Sequence, residues 1–285
     1  MSFVVLTALT LVSVTPSTLA SALVAAKQGD TRKLHGAFDR LVVRGKQGLR
    51  IDARGATLTG VEVLSSADII VRGGVADAGS LQAWRSVFVR DSSGIRIEGM
   101  TITNAMTGVA VLNSRGTHLI GNVIHRVRSD CMQLAGAPGS VVDGNVCRDT
   151  VPNMAVYDAA GKLVQDGDHP DCVQIWPLPG FPSQDIRITR NFCVGMMQGI
   201  FGSSRDGDRS GANRMIITDN QMRIGFWHGI TVSGMRNSVV TGNRVEGDGT
   251  VHLKGGRVRP WVRIEGEGNR VCGNSTSDWP PGPAC

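Results

Sequence analysis

The chain has 285 residues, of which 41% are hydrophobic and 19% charged, the proportions of an ordinary globular protein. Its 37 glycines and single tyrosine favour many tight turns over a bundle of long helices. The net charge of +6 suits an acidic partner, but no block of Lys or Arg concentrates it, so nucleic acid is not an expected partner.

The N-terminal segment is apolar. Residues 1–14 contain a run that is too short to span a bilayer but long enough for the core of a secretory signal, although no Lys or Arg precedes it. Pro16 to Lys27 is predicted to form a short amphipathic helix, with Thr15 or Ser17 as its N-cap and Gly29 as its stop.

From Leu34 onward, short β-rich runs alternate with Gly, Asn, Asp and Ser. No segment between these runs resembles a long helix. The first predicted strands are Val42-Val43, Leu49-Arg50-Ile51, Ile69-Ile70-Val71, Val87-Phe88-Val89 and Ile95-Arg96-Ile97.

One pattern then recurs: an apolar pair, one or two small or polar residues, and an Asn. Asn122 and Asn145 are 23 positions apart, as are Asn220 and Asn243, which is typical of a solenoid whose coils stack about 4.8 Å apart. We expect the Asn residues to adopt the left-handed backbone at one corner and to bond along the axis. The six members are Asn122, Asn145, Asn191, Asn220, Asn243 and Asn274.

A second aligned set of strands precedes these Asn residues. Because side chains alternate along a strand, one column is predicted to face inward and the next to face outward. The inward column is Val109, Met132, Val173, Ile200 and Ile230, and the outward column is Ala110, Gln133, Gln174, Phe201 and Thr231.

With these two patterns the chain resembles the right-handed parallel β-helix superfamily of pectate-lyase-like proteins, which includes polysaccharide lyases and C5-epimerases. The resemblance covers about Thr15 to Asn274, and residues 17–31 resemble the helix that caps such folds. It implies an all-β, single-stranded right-handed parallel β-helix with a short N-terminal capping helix. We predict that residues 15–285 form this one domain, with a Cys-tethered C-terminal tail.

The six cysteines indicate disulfides. Cys131 and Cys172 occupy one column and Cys147 and Cys193 another, and stacked Cα atoms lie within disulfide reach. An even count indicates an oxidising compartment, so the protein is expected to be secreted or periplasmic. The predicted pairs are Cys131–Cys172, Cys147–Cys193 and Cys272–Cys285.

The stretch from Asp166 to Trp176 is the densest in reactive side chains, and its Asp171–Gln174 segment repeats Asp130–Gln133. A solenoid presents such side chains as a shallow groove that suits an extended polymer. Asp and Gln are also common in turns and structural ladders, so the clustering carries the prediction rather than any one residue. The predicted stripe is Asp130, Gln133, Asp171, Gln174, Gln198 and His228.

Two insertions, residues 151–167 and 203–210, are predicted to overhang this groove. The first carries Tyr157, the only tyrosine. Tryptophan rings nearby can stack on sugar rings, which are apolar on one face. The predicted substrate-binding residues are Asp130, Gln133, Gln174, Trp176, Gln198, Arg205 and Trp227.

The first chemistry that fits is β-elimination from a uronate polymer, in which a base removes the C5 proton while another group neutralises the carboxylate. His169 is the best candidate base and Tyr157 a candidate acid. Reprotonation from the other face gives C5 epimerisation instead. The alginate C5-epimerases of the superfamily carry Asp-Pro-His-Asp, which Asp168-His169-Pro170-Asp171 resembles in composition but not in order.

Inverting glycoside hydrolysis by two carboxylates among Asp130, Asp166, Asp168 and Asp171 is the alternative. The polygalacturonase branch works this way, but its Asn-Thr-Asp and Gly-His-Gly signatures are absent, and His228-Gly229 is a partial match. A carbohydrate-binding solenoid without catalysis is a third interpretation. The predicted catalytic residues are His169, Asp171, Asp168, Tyr157 and His228.

The expected partner is an acidic polysaccharide, and the protein is expected to be a monomer without a membrane span. No metal site or cofactor is predicted. Ca²⁺ suits carboxylate oxygens, but no regular acidic ligand loop is present in the sequence.

Overall fold

A computed structural model describes residues 10–202, 212–251, 256–277 and 282–285. Regular structure in these ranges is almost all β. The two helical pieces are a 3-10 turn, Pro16–Thr18, and helix α1, Leu19–Val24. No helix in the described ranges has the length and apolar character needed to cross a membrane.

The strands are short. In chain order they are β1 (Leu11–Val14), β2 (Thr31–Phe38), β3 (Leu41–Arg44), β4 (Arg50–Leu58), β5 (Val61–Leu64), β6 (Ile70–Arg72), β7 (Val75–Asp77), β8 (Arg85–Arg90), β9 (Arg96–Glu98), β10 (Thr101–Ala105), β11 (Thr107–Leu112), β12 (His118–Ile120), β13 (Val123–Val127), β14 (Met132–Ala135), β15 (Val141–Asp143), β16 (Val146–Arg148), β17 (Val156–Tyr157), β18 (Leu163–Gln165), β19 (Asp171–Trp176), β20 (Arg187–Thr189), β21 (Phe192–Gly195), β22 (Gln198–Gly202), β23 (Ile216–Thr218), β24 (Gln221–Ile224), β25 (His228–Val232), β26 (Val239–Thr241), β27 (Arg244–Gly247), β28 (Trp261–Ile264), β29 (Arg270–Cys272) and β30 (Ser275–Thr276).

The strands form two large parallel sheets. A nine-stranded sheet runs in the order β3-β5-β8-β11-β14-β19-β22-β25-β28, and a nineteen-stranded sheet holds the other strands except the hairpin β17–β18. Neighbours in the nine-stranded sheet come from successive coils and pair in parallel register. The predicted parallel β-helix is therefore confirmed.

The predicted inward column lies at the centre of the coils. Its five residues are direct neighbours across successive strands, Val109 beside Met132 and so on to Ile230, and each has an exposure of 0%. They belong to one continuous apolar core that runs from Val14 to Val245. Because each coil has too few apolar residues to fold alone, burial between stacked coils stabilises the whole solenoid.

The Asn ladder is also confirmed. From Asn122 to Asn274, each Nδ2 donates to the Oδ1 of the next Asn along the axis at 2.8–3.0 Å. The expected left-handed backbone lies one residue earlier than predicted. The chain turns the corner at the residue before each Asn, which leaves the Asn amide free to point into the coil. The residues with positive φ are Gly121, Gly144, Arg190, Asp219, Gly242 and Gly273.

A short helix lies at the N-terminal end as predicted, but it ends at Val24 with Ala25 as its C-cap and does not continue to Lys27 with Gly29 as its stop. Thr15 is the N-cap, and its backbone N–H donates to Thr18 Oγ1 at 3.0 Å. Leu19 and Leu23 pack against the core, and Gly29 follows with a φ of 88°. Strand β1 uses the last residues of the signal-like segment, while residues 1–9 lie outside the described ranges. The domain boundary at residue 14 stays a prediction.

Two of the three predicted disulfides are wrong. The observed bonds join Cys131 to Cys147 and Cys172 to Cys193, with Cα separations of 6.1 and 6.0 Å. The predicted partners do stack in register, Cys147 directly beside Cys193. In-register side chains of parallel strands point in the same direction, however, so each thiol meets the one that faces it across its own coil. The bond between Cys272 and Cys285 is confirmed.

Candidate functional site

The predicted polar stripe lies on the outer face of the nine-stranded sheet. At the starts of successive strands stand Asp130, Asp171, Gln198 and His228, which we call the site column. The structure pairs Asp171 directly with Gln198, and places Asp130 one coil before Asp171, whose N–H it binds. Beside this column run Gln133, Gln174, Phe201 and Thr231, paired in that order.

Two carboxyl groups and two amides form a hydrogen-bonded ladder across two coils. Asp130 Oδ1 accepts the backbone N–H of Asp171 at 3.0 Å. Gln133 Nε2 donates to Gln174 Oε1 at 2.7 Å and to Asp130 Oδ2 at 3.3 Å, and Gln174 Nε2 donates to Asp171 Oδ2 at 2.9 Å. Each glutamine therefore holds the carboxyl group of its own coil, and the two coils are joined through the amides.

The two carboxyl groups are almost completely buried, with exposures of 3% for Asp130 and 1% for Asp171. Burial raises the pKa of Asp130 to about 7, opposed by the N–H of Asp171 and reinforced by the charge of Asp168. Burial and the neighbouring Asp130 raise the pKa of Asp171 well above its usual range. Asp171 Oδ1 has no hydrogen-bond partner among the described residues, so it is the natural position for a proton.

The substitution Asp130→Asn is expected to remove a pH dependence of stability. Since the folded-state pKa of about 7 exceeds the unfolded value of roughly 3.9, the wild-type protein loses stability as pH rises from about 4 through 7. Across that range, the free energy of unfolding of the wild-type protein, measured in urea, should fall by a few kcal/mol relative to that of Asp130→Asn. The exposed Asp91→Asn is the control, and parallel pH curves for Asp130→Asn and wild type would contradict the assignment.

A cleft of about 480 Å³ opens over the site column. It combines two imidazoles, two amides, one carboxyl group and four aromatic rings. The lining residues are His169, Asp171, Gln174, Trp176, Gln198, Phe201, Phe226, Trp227 and His228.

His228 is held in a fixed orientation in this cleft. Its Nδ1 lies 3.0 Å from Thr231 Oγ1, which also accepts the Trp261 Nε1–H at 3.1 Å. The imidazole makes edge contacts with the rings of Phe201 and Trp261 at centroid distances of 5.1 and 5.2 Å. Burial, together with the charges of Arg263 and His169, lowers its pKa, so His228 is neutral at neutral pH.

His169 also lines the cleft, with its side chain 59% exposed. Its Nε2 is 3.7 Å from Asp166 Oδ1, so this carboxylate is available as a counter-charge when the imidazole carries a proton. Asp168 does not line the cleft. It accepts the backbone N–H of Asn153 at 2.8 Å and lies 3.2 Å from Arg128 Nε, contacts that fix the 151–167 insertion to the coil.

Four of the predicted site residues that the structure describes do not line the cleft: Asp130, Gln133, Tyr157 and Asp168. Tyr157 lies on the hairpin β17–β18 with 40% exposure and is not among the lining residues. The insertion is attached at its base through Asp168, so the repeat did not fix where its tip would lie. Arg205 lies outside the described residues.

The cleft also carries a row of aromatic rings, of which the sequence analysis named only Trp176 and Trp227 as substrate-binding residues. Trp176 meets Phe201 at 6.2 Å, and Trp227 stacks on Trp261 at 6.2 Å. Trp261 pairs with His228 in the next coil, so it continues the site column. Its signal in the sequence is the alternation Val262-Arg263-Ile264 that follows it, with Asn274 13 residues after Trp261, close to the 15 residues from His228 to Asn243.

Within the described ranges, no group of three or more His, Cys, Asp or Glu side chains is arranged to hold a metal ion.

Neither a family model nor a curated protein matches this sequence. Among solved structures, the chain is similar to the catalytic domain of a GH87 α-1,3-glucanase in complex with tetrasaccharides, with 11% identity and a TM-score of 0.53 over 85% of this chain. This likeness agrees with the parallel β-helix fold described above. The chain spans 46% of the length of that glucanase structure, so it corresponds to about half of it.

Two lyases are also similar and align over most of both chains. An alginate lyase from Paenibacillus sp. str. FPU-7 shares 16% identity with a TM-score of 0.36, covering 96% of this chain and 97% of its own. A pectate lyase from Bacillus sp. N165 in complex with trigalacturonate shares 11% identity with a TM-score of 0.36, covering 96% of this chain and 86% of its own.

Proposed function

We propose that the protein is a polysaccharide lyase that cleaves a uronate-containing polysaccharide by β-elimination. The observation that carries this proposal is that two imidazoles, His169 and His228, line one cleft whose remaining polar groups are two amides and one carboxyl group with a pKa raised by burial. Such a cleft offers a base, an acid and neutral hydrogen-bond donors for a carboxylate.

His228 acts as the base. Its lowered pKa keeps the imidazole neutral, and an Nδ1–H donated to Thr231 leaves Nε2 free to take the C5 proton of the uronate. The electron pair of the C5–H bond forms the C4–C5 double bond, and the C4–O bond breaks. His169, whose Nε2 faces Asp166, is the group that gives a proton to the leaving glycosidic oxygen. These roles revise the sequence-based assignment of His169 as base and Tyr157 as acid.

The substrate carboxylate is bound by the amides of the cleft. The C5 proton is easier to remove when the carboxylate is neutralised, because the developing charge spreads onto its oxygens. Gln198 and Gln174 line the cleft, and the Asp171 carboxyl group holds the Gln174 amide through Oδ2. Gln133 and Asp130 lie behind these groups and orient them through the ladder.

Hydrolysis by paired carboxylates is less well supported. An inverting pair needs about 6.5–9.5 Å between carboxyl groups and room for a water. Asp130 and Asp171 belong to adjacent coils, about 4.8 Å apart, and both are bonded within the ladder. Of the described carboxyl groups, Asp171 alone lines the cleft.

Three disulfides and a net charge of +6 accompany this site. Disulfides persist in oxidising compartments, which supports a secreted or periplasmic enzyme. An excess of positive charge attracts a polyanionic substrate over long range.

The proposal is tested by incubating the purified protein with alginate, polygalacturonate and other acidic polysaccharides while following ultraviolet absorbance and reducing ends together. Elimination raises both, because each cut creates a conjugated double bond and a new reducing end. Reducing ends without absorbance would indicate hydrolysis, and epimerisation would change neither signal but would alter the sugar composition.

A further inference from the structure

The site column continues past the cleft toward the N-terminal coils. Thr107 precedes Asp130 in the column, since the N–H of the next residue, Gly108, donates to Asp130 O at 3.0 Å. Thr107 in turn pairs with Arg85 of β8. Arg85 therefore stands three coils before Asp171, about 14 Å away along the same face.

The guanidinium of Arg85 is enclosed by aromatic rings. Its Cζ lies 3.4 Å from the ring centroid of Trp84 and 3.3 Å from that of Phe88. Two of its nitrogens, Nε and Nη1, are buried without a hydrogen-bond partner in the described part of the chain. Flat rings on both sides hold the guanidinium in place but supply no acceptor in its plane.

Arg85 also lacks a counter-charge. The negative charge of Glu62 acts on Arg85 from a distance, but the Glu62 carboxylate is bound by Arg40 at 2.8 Å. No carboxylate of the described residues lies within ion-pair distance of Arg85. Burial, with Arg40 and Arg90 as further positive charges, lowers the pKa of Arg85 to about 10. Buried guanidinium nitrogens without an acceptor are costly, so an anion at the edge of this guanidinium would be stabilising.

Trp84 provides an apolar surface beside this cation. Its side chain is among the exposed large hydrophobic groups, with 58% exposure. The turn that carries it is tied to the candidate site, since Gln82 Oε1 accepts Arg128 Nη1 at 3.0 Å and Arg128 Nε lies 3.2 Å from Asp168 Oδ2. A sugar ring that stacks on Trp84 brings its ring substituents to the edge of the guanidinium.

We propose that Trp84 and Arg85 form a second binding subsite that holds an acidic sugar of the polymer about three coils from the cleft. This subsite rests on the proposed function for its substrate class. Trp84 stacks on the pyranose ring, and Arg85 pairs with its carboxylate. A chain bound along the nine-stranded sheet then occupies the subsite and the cleft at once.

Electrophoresis in native gels that contain polygalacturonate, alginate or neutral dextran tests the subsite directly. The variants are Arg85→Gln and Trp84→Ala, with Trp84→Phe to retain a ring. Arg187→Gln removes the same charge from an exposed position on β20, in the other sheet, and is the matched control. Melting temperatures establish that each variant is folded.

We expect an acidic polymer to retard the wild-type protein, and Arg85→Gln and Trp84→Ala to weaken its affinity by about tenfold or more. Trp84→Phe and Arg187→Gln should remain close to wild type, and dextran should retard none of them. Folded Arg85→Gln that binds like wild type would overturn the subsite, as would a wild-type protein that neither acidic polymer retards. Weakened binding by Arg85→Gln together with no double-bond product from wild type would support the subsite and refute the lyase.

Discussion

Replacing His228 by alanine is expected to reduce the turnover of acidic polysaccharide by a factor of about 100 to 10,000, the usual contribution of a general base. The imidazole is the one base in the cleft whose orientation is fixed, through Thr231 and two aromatic rings. The measurement is the initial rate of absorbance increase at saturating substrate. His228→Gln retains the size and a hydrogen-bonding group, so an equal loss in this variant separates chemistry from packing.

The pH profile distinguishes a base from a structural residue. Because its pKa is lowered by burial, Arg263 and His169, His228 becomes neutral below the usual histidine value of about 6.5. The rise of the rate with pH should therefore be centred below that value. Thr231→Val keeps the side-chain shape but removes the contact to Nδ1, and should lower the rate and alter this profile. Full turnover by folded His228→Ala would show that the base lies elsewhere, with His169 as the next candidate.

Removing the disulfide between Cys131 and Cys147 with a double serine substitution is expected to lower the free energy of unfolding by about 3 kcal/mol. The bond between Cys172 and Cys193 should contribute a similar amount, since it closes a loop of similar length. Urea unfolding at neutral pH measures both effects.

These two bonds should also matter for turnover, because Cys131 and Cys172 directly follow the two carboxyl residues of the ladder. The bond between Cys272 and Cys285 joins residues 13 positions apart at the C-terminal end and is the matched control. Its removal should cost stability but leave turnover intact. Equal loss of turnover in all three variants, or the pairs Cys131–Cys172 and Cys147–Cys193 in peptide mapping, would contradict this assignment.

The fold could be predicted from the sequence because the Asn ladder fixes register. Once Asn122, Asn145 and Asn191 are aligned, the inward column and most of the site column follow from alternation. The disulfides could not be predicted in the same way. A column shows which residues stack, but the partner of a buried thiol depends on which side chain faces it across the coil.

The second subsite could not be predicted from the sequence because the Asn ladder ends before its coil. In the coil before Asn122, Met100 occupies the ladder position, and its backbone N–H donates to Asn122 Oδ1 at 3.0 Å. Without an Asn, the register of Trp84 and Arg85 is not visible in the sequence. Tyr157 was misplaced for a different reason, since an insertion leaves the repeat and its tip is positioned by local contacts.

Mass spectrometry of the oligosaccharides released from the preferred acidic polysaccharide tests the central claim most directly. Elimination takes up no water, so each cut should leave an unsaturated end, and the fragments should be lighter than hydrolysis products by one water. Fragments that have gained one water for each cut and carry no double bond would identify the enzyme as a glycoside hydrolase and contradict the roles given to His169 and His228.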